Sequence, residues 1–184
     1  MALPKRIVLV CSGNTCRSTM AEAMLRKALA DEFGGASDGV SVVSAGVYAN
    51  EGDPASANAI AAMKELGLDI ASHRARLLTD EILKDADLVL TMTSAHKQTV
   101  LLRYPSLQGK VMTLNEFAGL SDEFGPDIPD PFGGSIDVYR ATAKDIGRSI
   151  ERVIRRIKDA SAGSTSEKKA GDVGGGWQDR VERV

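Results

Sequence analysis

The stretch Cys11-Ser12-Gly13-Asn14-Thr15-Cys16-Arg17-Ser18 lies between an apolar run, Ile7 to Val10, and a helical pattern that begins near Thr19, and it constrains this chain more than any other segment. A strand that stops in a glycine-containing turn and opens into a helix aims backbone N–H groups, and the positive end of the helix macrodipole, at one point. An anion of phosphate size suits that point. Cys11 stands at the floor of the loop, where a positive environment draws a thiol from a pKa of about 8.5 into a range of about 3.5–7.5. The expectation is a thiolate nucleophile at neutral pH. Arg17 follows six positions later, and its planar fork can hold two phosphate oxygens at once, a geometry that lysine does not reproduce. Ser12, Gly13, Asn14, Thr15, Cys16 and Arg17 are therefore the expected phosphate-binding residues. Two buried cysteines beside a turn are the common fate of free Cys, but that reading leaves the Gly13-Asn14 turn and Arg17 without a task.

The rest of the chain reads as alternating strands and helices. Met20, Met24, Leu25, Ala28 and Leu29 recur at helical spacing behind a Thr19/Glu22 capping-box pattern, and this helix should end near Phe33, before Gly34-Gly35. Val40 to Ala45 reads as a buried strand closed by Gly46, parallel to the first. Asp53-Pro54 predicts a helix start and Gly67 its stop, with Ile60, Met63 and Leu66 on the apolar face. A short helix over Thr79 to Lys84, a strand over Leu88 to Met92, a helix over Ser94 to Arg103 and a fourth strand from Val111 follow. The period is then lost: Ser121 to Gly134 reads as a loop with Pro126, Pro129, Pro131 and four acidic residues, long enough to carry function. From Asp137, the residues Tyr139, Ile146, Ile150, Val153, Ile154 and Ile157 make the most periodic helix of the chain. The predicted fold is a single α/β domain over residues 1–160, a four-stranded parallel sheet wrapped by helices with the ligand at the carboxyl ends of the strands. Residues 161–184, rich in Gly, Ser and charge around a single Trp177, read as a flexible tail.

With 184 residues, 43% of them hydrophobic, one domain can bury about 70% of its unfolded surface. The 23 basic residues are interspersed with 25 acidic ones, giving a net charge of −2 and no footprint for nucleic acid. No apolar run approaches the roughly 18 residues of a membrane span, and Lys5-Arg6 precede only a short strand-like run rather than a signal-peptide core. A cytoplasmic protein is expected. Both cysteines sit in one loop, five positions apart, so a structural disulfide framework is implausible and a reducing compartment agrees with a reactive thiol.

The Cys-X5-Arg-Ser pattern near the N-terminus resembles the low-molecular-weight protein tyrosine phosphatase family, as do Ser44-Ala45-Gly46, Ser72-His73-Arg74-Ala75-Arg76 and Asp130-Pro131. The resemblance covers residues 5–158 and implies a flavodoxin-like sheet and hydrolysis of phosphorylated proteins through a phosphocysteine intermediate, with no metal or cofactor; a monomer is expected. Cys11 and Arg17 match the family's nucleophile and phosphate clamp, and Asp130 matches its general acid. Ser18, Asn14, Ser44 and His73 match positions that brace the loop or hydrogen-bond the thiolate; Arg76 has no role assigned, and His96, on a helix expected at the surface, has none either.

Specificity is expected above the cradle. The position before the second loop cysteine is commonly a branched aliphatic residue in the tyrosine enzymes, whereas Thr15 resembles the protein-arginine phosphatase branch, as does Phe132 followed by Gly133-Gly134. A hydroxyl there can hydrogen-bond a guanidino group. Thr15 could also merely replace Ile as a β-branched shape, which leaves tyrosine specificity open. Tyr48 stands where an aromatic wall is usual. Arsenate reductases share the loop but need further cysteines downstream, and none follows Cys16. A dithiol redox module would lack Cys-X-X-Cys spacing and a use for Arg17, and a non-catalytic phosphate-binding module would need neither Cys11 nor Asp130. Cys16 is the expected redox partner of Cys11, able to capture a sulfenic acid as a disulfide.

Overall fold

Four parallel strands, β1 (Arg6–Cys11), β2 (Ser41–Gly46), β3 (Leu88–Thr91) and β4 (Val111–Thr113), lie in the order β2-β1-β3-β4. They belong to a computed structural model that describes residues 3–37 and 39–162. β1 pairs with β2 from Arg6 opposite Ser41 to Cys11 opposite Gly46, and with β3 from Ile7 opposite Leu88 to Val10 opposite Thr91. Both faces of the sheet are covered, which is why Ile7-Val8-Leu9-Val10 is apolar without alternation. Ile7 and Leu9 join the core under α1 (Arg17–Phe33), α2 (Ala57–Glu65) and α7 (Ile136–Ala162), while Val8 and Val10 pack on the opposite face with Leu83 of α3 (Asp80–Leu83) and Val100 of α4 (Ser94–Arg103).

The expected four-stranded parallel sheet and its helices are present. α7 buries Tyr139, Ala143, Ile146, Ile150, Val153 and Ile157 against α1, α2 and a short helix, α5 (Leu114–Ala118). Each large apolar side chain so buried is worth about 1.5–3 kcal/mol. α7 runs on to Ala162, and the rest of the tail expected over 161–184 lies outside the described residues.

Several boundaries differ from expectation for physical reasons. α1 starts at Arg17 rather than Thr19, and its N-cap residue, Cys16, makes no side-chain cap. Thr19 Oγ1 donates instead to the Asn14 carbonyl, and the Glu22 carboxylate accepts from Ser44 and pairs with Arg26 and Arg76. The helix end is thus left to the loop ahead of it. α2 is capped by Ser56, which accepts from the Ala59 N–H, and not by Asp53, because Pro54 is held in an isolated bridge with Arg74. Past β4, where a long loop was expected only from Ser121, the chain forms α5 behind a Thr113/Glu116 capping box and then α6 (Ser121–Phe124). The remaining segment, residues 125–134, is irregular and carries Asp130.

Candidate active site

At the carboxyl end of β1 the chain turns through Asn14, a non-glycine residue at φ 54°. Such a conformation costs on the order of 1–3 kcal/mol and persists only where its surroundings impose it. Here they do. Asn14 Nδ2 donates to Ser18 Oγ at 2.9 Å and to Ser44 Oγ at 2.8 Å, and Oδ1 accepts the Arg76 N–H at 2.9 Å. Its carbonyl accepts from Thr19 Oγ1 at 2.9 Å and from His73 Nε2 at 2.7 Å. Because that partner is a carbonyl, Nε2 of His73 carries the hydrogen, and burial lowers the His73 pKa from its ordinary value. Just past β2, Val47 N donates to Cys11 O and Tyr48 N to Ser12 O at 2.9 and 3.0 Å. Gly46 is required for that approach: a Cβ there would stand 2.4 Å from Ser12 O and 2.9 Å from Asn14 N.

Cys11 Sγ is inside this turn, 3.0 Å from Ser18 Oγ and accepting the Asn14 N–H at 3.3 Å. Burial pushes the Cys11 thiol up from its ordinary pKa and is the largest influence, while Ser18, Arg17 and the Asn14 amide draw it down. The expectation of a simple downward shift is corrected accordingly: ionisation of Cys11 depends on the donors facing Sγ outweighing its burial.

Arg17 is buried at 3% exposure. Its Nη1 donates to the Ile128 carbonyl at 3.1 Å and its Nη2 meets Asp130 Oδ2 at 2.5 Å, so the irregular segment is tied to the loop by the same side chain. Nε has no hydrogen-bond partner among the described residues. An unpaired buried donor costs about 1–3 kcal/mol, and Arg17 lines the cavity that contains Cys11.

That cavity has a volume of about 260 Å³. Cys11, Ser12, Gly13, Thr15, Cys16 and Arg17 form its floor and walls, with Tyr48, Asp130 and Phe132 at the mouth. Tyr48 and Phe132 are 67% and 77% exposed, with Arg103 over the Tyr48 ring at 5.3 Å. Asp130 Oδ1 accepts the Phe132 N–H at 3.2 Å. Cys16 Sγ is buried beside Ser56 Oγ and Tyr139 Oη, each at 3.3 Å, and both cysteines are free thiols.

The structure brings Cys11, Ser12, Gly13, Thr15, Cys16, Arg17, Tyr48, Asp130 and Phe132 onto one cavity and places Asn14, Ser18, Ser44 and His73 directly behind its loop. It also corrects one reading. His96 is not a surface residue: it is 7% exposed, with Nε2 2.8 Å from Ser12 Oγ and Nδ1 2.9 Å from Thr93 Oγ1. Burial, helped by Arg17, lowers its pKa to about 4. The available signal was Thr93, an N-cap three residues ahead, which fixes the face of α4 that His96 occupies. Among the described residues no group of His, Cys, Asp or Glu is placed to hold a metal ion, and no helix is long and apolar enough to cross a membrane.

A thiol faced by the backbone amides of Asn14 and Ser18, a buried guanidinium and a carboxylate over one small cavity are the parts of a cysteine-dependent phosphatase site. The chain belongs to the low molecular weight phosphotyrosine protein phosphatase family, whose model matches residues 6–164. It is similar to a protein-arginine-phosphatase from Geobacillus stearothermophilus, 42% identical over 156 residues that span 85% of this chain and 98% of that protein. A probable low molecular weight protein-tyrosine-phosphatase, EpsP, from Ralstonia nicotianae is 38% identical over 154 residues, 84% of this chain and 97% of that one. Among solved structures, the YwlE arginine phosphatase from Geobacillus stearothermophilus matches with a TM-score of 0.78 at 39% identity, covering 90% of this chain and all of that one.

Proposed function

We propose that this phosphatase removes phosphate from phosphoarginine residues of proteins, with Cys11 as nucleophile, Arg17 as phosphate clamp and Asp130 as general acid and base. The phosphoryl group enters the cradle, its non-bridging oxygens taking the amides of residues 12–17 and the Arg17 guanidinium, which leaves Asp130. Cys11 Sγ, as the thiolate that has given its proton to solvent and is held by Ser18, attacks phosphorus in line; the S–P bond forms as the P–N bond breaks. The electron pair passes to the guanidino nitrogen, which takes a proton from the Asp130 carboxyl group, itself protonated from solvent once Arg17 has left it. The resulting Asp130 carboxylate then removes a proton from water as its oxygen attacks the phosphocysteine, and the S–P electron pair returns to Cys11. Asn14, Ser44 and His73 position the loop throughout, through the bonds described above.

The observation that carries the choice of substrate is Thr15. Its Oγ1 lies 3.6 Å from Cys16 Sγ, and the residue lines the wall of the cavity that holds Cys11 and Arg17. A hydroxyl on that wall can accept from a guanidino N–H and gains nothing from an aryl ring. The two exposed aromatic residues at the mouth, Tyr48 and Phe132, can stack on a guanidinium or on a phenyl ring, and that versatility favours phosphotyrosine as the second reading. Similarity to a protein named as an arginine phosphatase supports the first.

The reading includes a monomer working in the cytoplasm on phosphorylated proteins, since a reactive thiol at Cys11 suits a reducing compartment. A nucleic-acid partner forms no part of it, given the net charge of −2. Competition between phosphoarginine and phosphotyrosine in one protein mixture tests the assignment. Wild type should favour phosphoarginine, and Thr15→Ile should shift the kcat/KM ratio toward phosphotyrosine by about 10- to 150-fold, the worth of one hydrogen bond to a charged group. A wild type that prefers phosphotyrosine, or an unchanged ratio in Thr15→Ile, contradicts it.

A further inference from the structure

The Ser12–His96–Thr93 chain lies beside the cavity, and the catalytic steps above leave it unused. Ser12 is in the cradle loop and lines the cavity, directly after the nucleophile. Behind it, His96 is gripped at both ring nitrogens, by Ser12 Oγ at 2.8 Å and by Thr93 Oγ1 at 2.9 Å. Thr93 Oγ1 already accepts the backbone N–H of His96 at 3.2 Å as the cap of α4. The same first turn of α4 holds the irregular segment, because Ser94 N and Oγ both donate to Asp127 Oδ1, at 2.7 and 2.8 Å. One helix end thus touches the nucleophile loop and the segment that carries Asp130.

Counting hydrogens assigns a direction to this chain. His96 is neutral across the working range, since its pKa is lowered to about 4, so its ring has one donor and one acceptor. If Nδ1 carried the hydrogen, Thr93 Oγ1 would accept twice and its own hydrogen would have no acceptor among the described residues. With the hydrogen on Nε2, the Thr93 hydroxyl donates to Nδ1 and Nε2 donates to Ser12 Oγ, so that each hydrogen of the chain is used. Ser12 is then left with its own O–H and one free lone pair, both at the cavity wall.

We propose that His96 is a positioning residue that holds the Ser12 hydroxyl so that it recognises the P–N linkage, donating to a phosphoryl oxygen and accepting from the adjacent guanidino N–H. A P–O–aryl ester offers the oxygen without the N–H and uses half of this arrangement. Ser12 and His96 are accordingly a second element of specificity on the loop side of the cavity, in addition to Thr15. The inference rests on the phosphoarginine reading.

The experiment is a double-mutant cycle on Ser12→Ala, His96→Leu and the pair, with kcat/KM measured on one phosphoarginine peptide and one phosphotyrosine peptide, and thermal melts to confirm folding. Each single change should lower the phosphoarginine-to-phosphotyrosine ratio about tenfold. The double variant should lose no more than the worse single one, because both changes break the same chain. Ser12→Thr, which keeps the hydroxyl, should retain most of the ratio, and it supplies a folded comparison if His96→Leu melts early. Equal losses on both substrates, or additive losses in the double variant, overturn the role given to His96 while the substrate reading stands. A wild type that prefers phosphotyrosine overturns the substrate reading and this inference with it.

Discussion

Arg17 Nη2 and Asp130 Oδ2 meet at 2.5 Å, joining a side chain that is 4% exposed to one that is 47% exposed. The cation is fixed by burial and by the Ile128 carbonyl, whereas the carboxylate is half exposed and its other oxygen accepts the Phe132 N–H. A phosphoryl dianion brings more charge and more acceptor oxygens to the guanidinium than one solvated carboxylate does. In the proposed mechanism substrate takes over Arg17 and releases Asp130 toward the leaving group, so that the resting pair and the catalytic arrangement share one residue.

Asp130→Asn should slow turnover by roughly 10²–10⁴, the range of a positioned acid–base group, and the loss should be smaller for a leaving group that departs well as an anion. The same substitution removes the competitor for Arg17, so inhibition by inorganic phosphate should become tighter. Steady-state kinetics with a series of aryl phosphates, and with phosphate as inhibitor, measure both; a uniform loss across leaving groups together with weaker phosphate inhibition goes against the exchange of partners.

Oxidation supplies a separate test of the loop. Mild peroxide should convert the Cys11 thiolate to a sulfenic acid, which the Cys16 thiol attacks to form a disulfide and release water. Cys16 lies in the same cavity wall and is hydrogen-bonded to Ser56 and Tyr139. Wild type should recover fully with thiol reductant after peroxide, and Cys16→Ser should recover poorly because its Cys11 goes on to sulfinic acid. Equal recovery of the two proteins assigns Cys16 to packing alone.

A pH dependence of stability follows from His96. In the unfolded chain this group takes up a proton near its ordinary value of 6.5, but in the folded protein it does so only near 4. Between those values the unfolded state binds more protons, so stability must fall as pH falls through the interval and be independent of His96 above it. His73 is lowered from its ordinary value as well and acts in the same direction. Urea unfolding at pH 7 and pH 5 should show the lower midpoint at pH 5, with a smaller difference in His96→Leu; an identical difference in that variant removes His96 from the account.

The parts of this protein that local chemistry dictates are legible in its sequence. The Cys11–Ser18 loop declares itself because a Gly-Asn turn between strand and helix has few other uses, and α7 does so because its apolar stripe repeats over many turns. What escaped notice depends on contacts between distant segments. His96 reads as a surface residue on its own helix but is buried where Ser12, 84 positions earlier, is brought against it. The start of α1 was misplaced because Thr19 serves Asn14 rather than the helix end. α5 was missed although its Thr113/Glu116 capping box was in plain view, since the helix it opens is only five residues long.

Covalent catalysis by Cys11 is the central claim, and trapping the intermediate tests it most directly. Substrate is mixed with enzyme, quenched within a turnover, digested, and the peptide carrying Cys11 and Cys16 is sequenced by mass spectrometry. The account predicts one added phosphoryl group on Cys11, absent from Cys16 and accumulating further in Asp130→Asn when an activated aryl phosphate makes dephosphorylation the slow step. A phosphoryl group on another residue, or full turnover by Cys11→Ser, would contradict it.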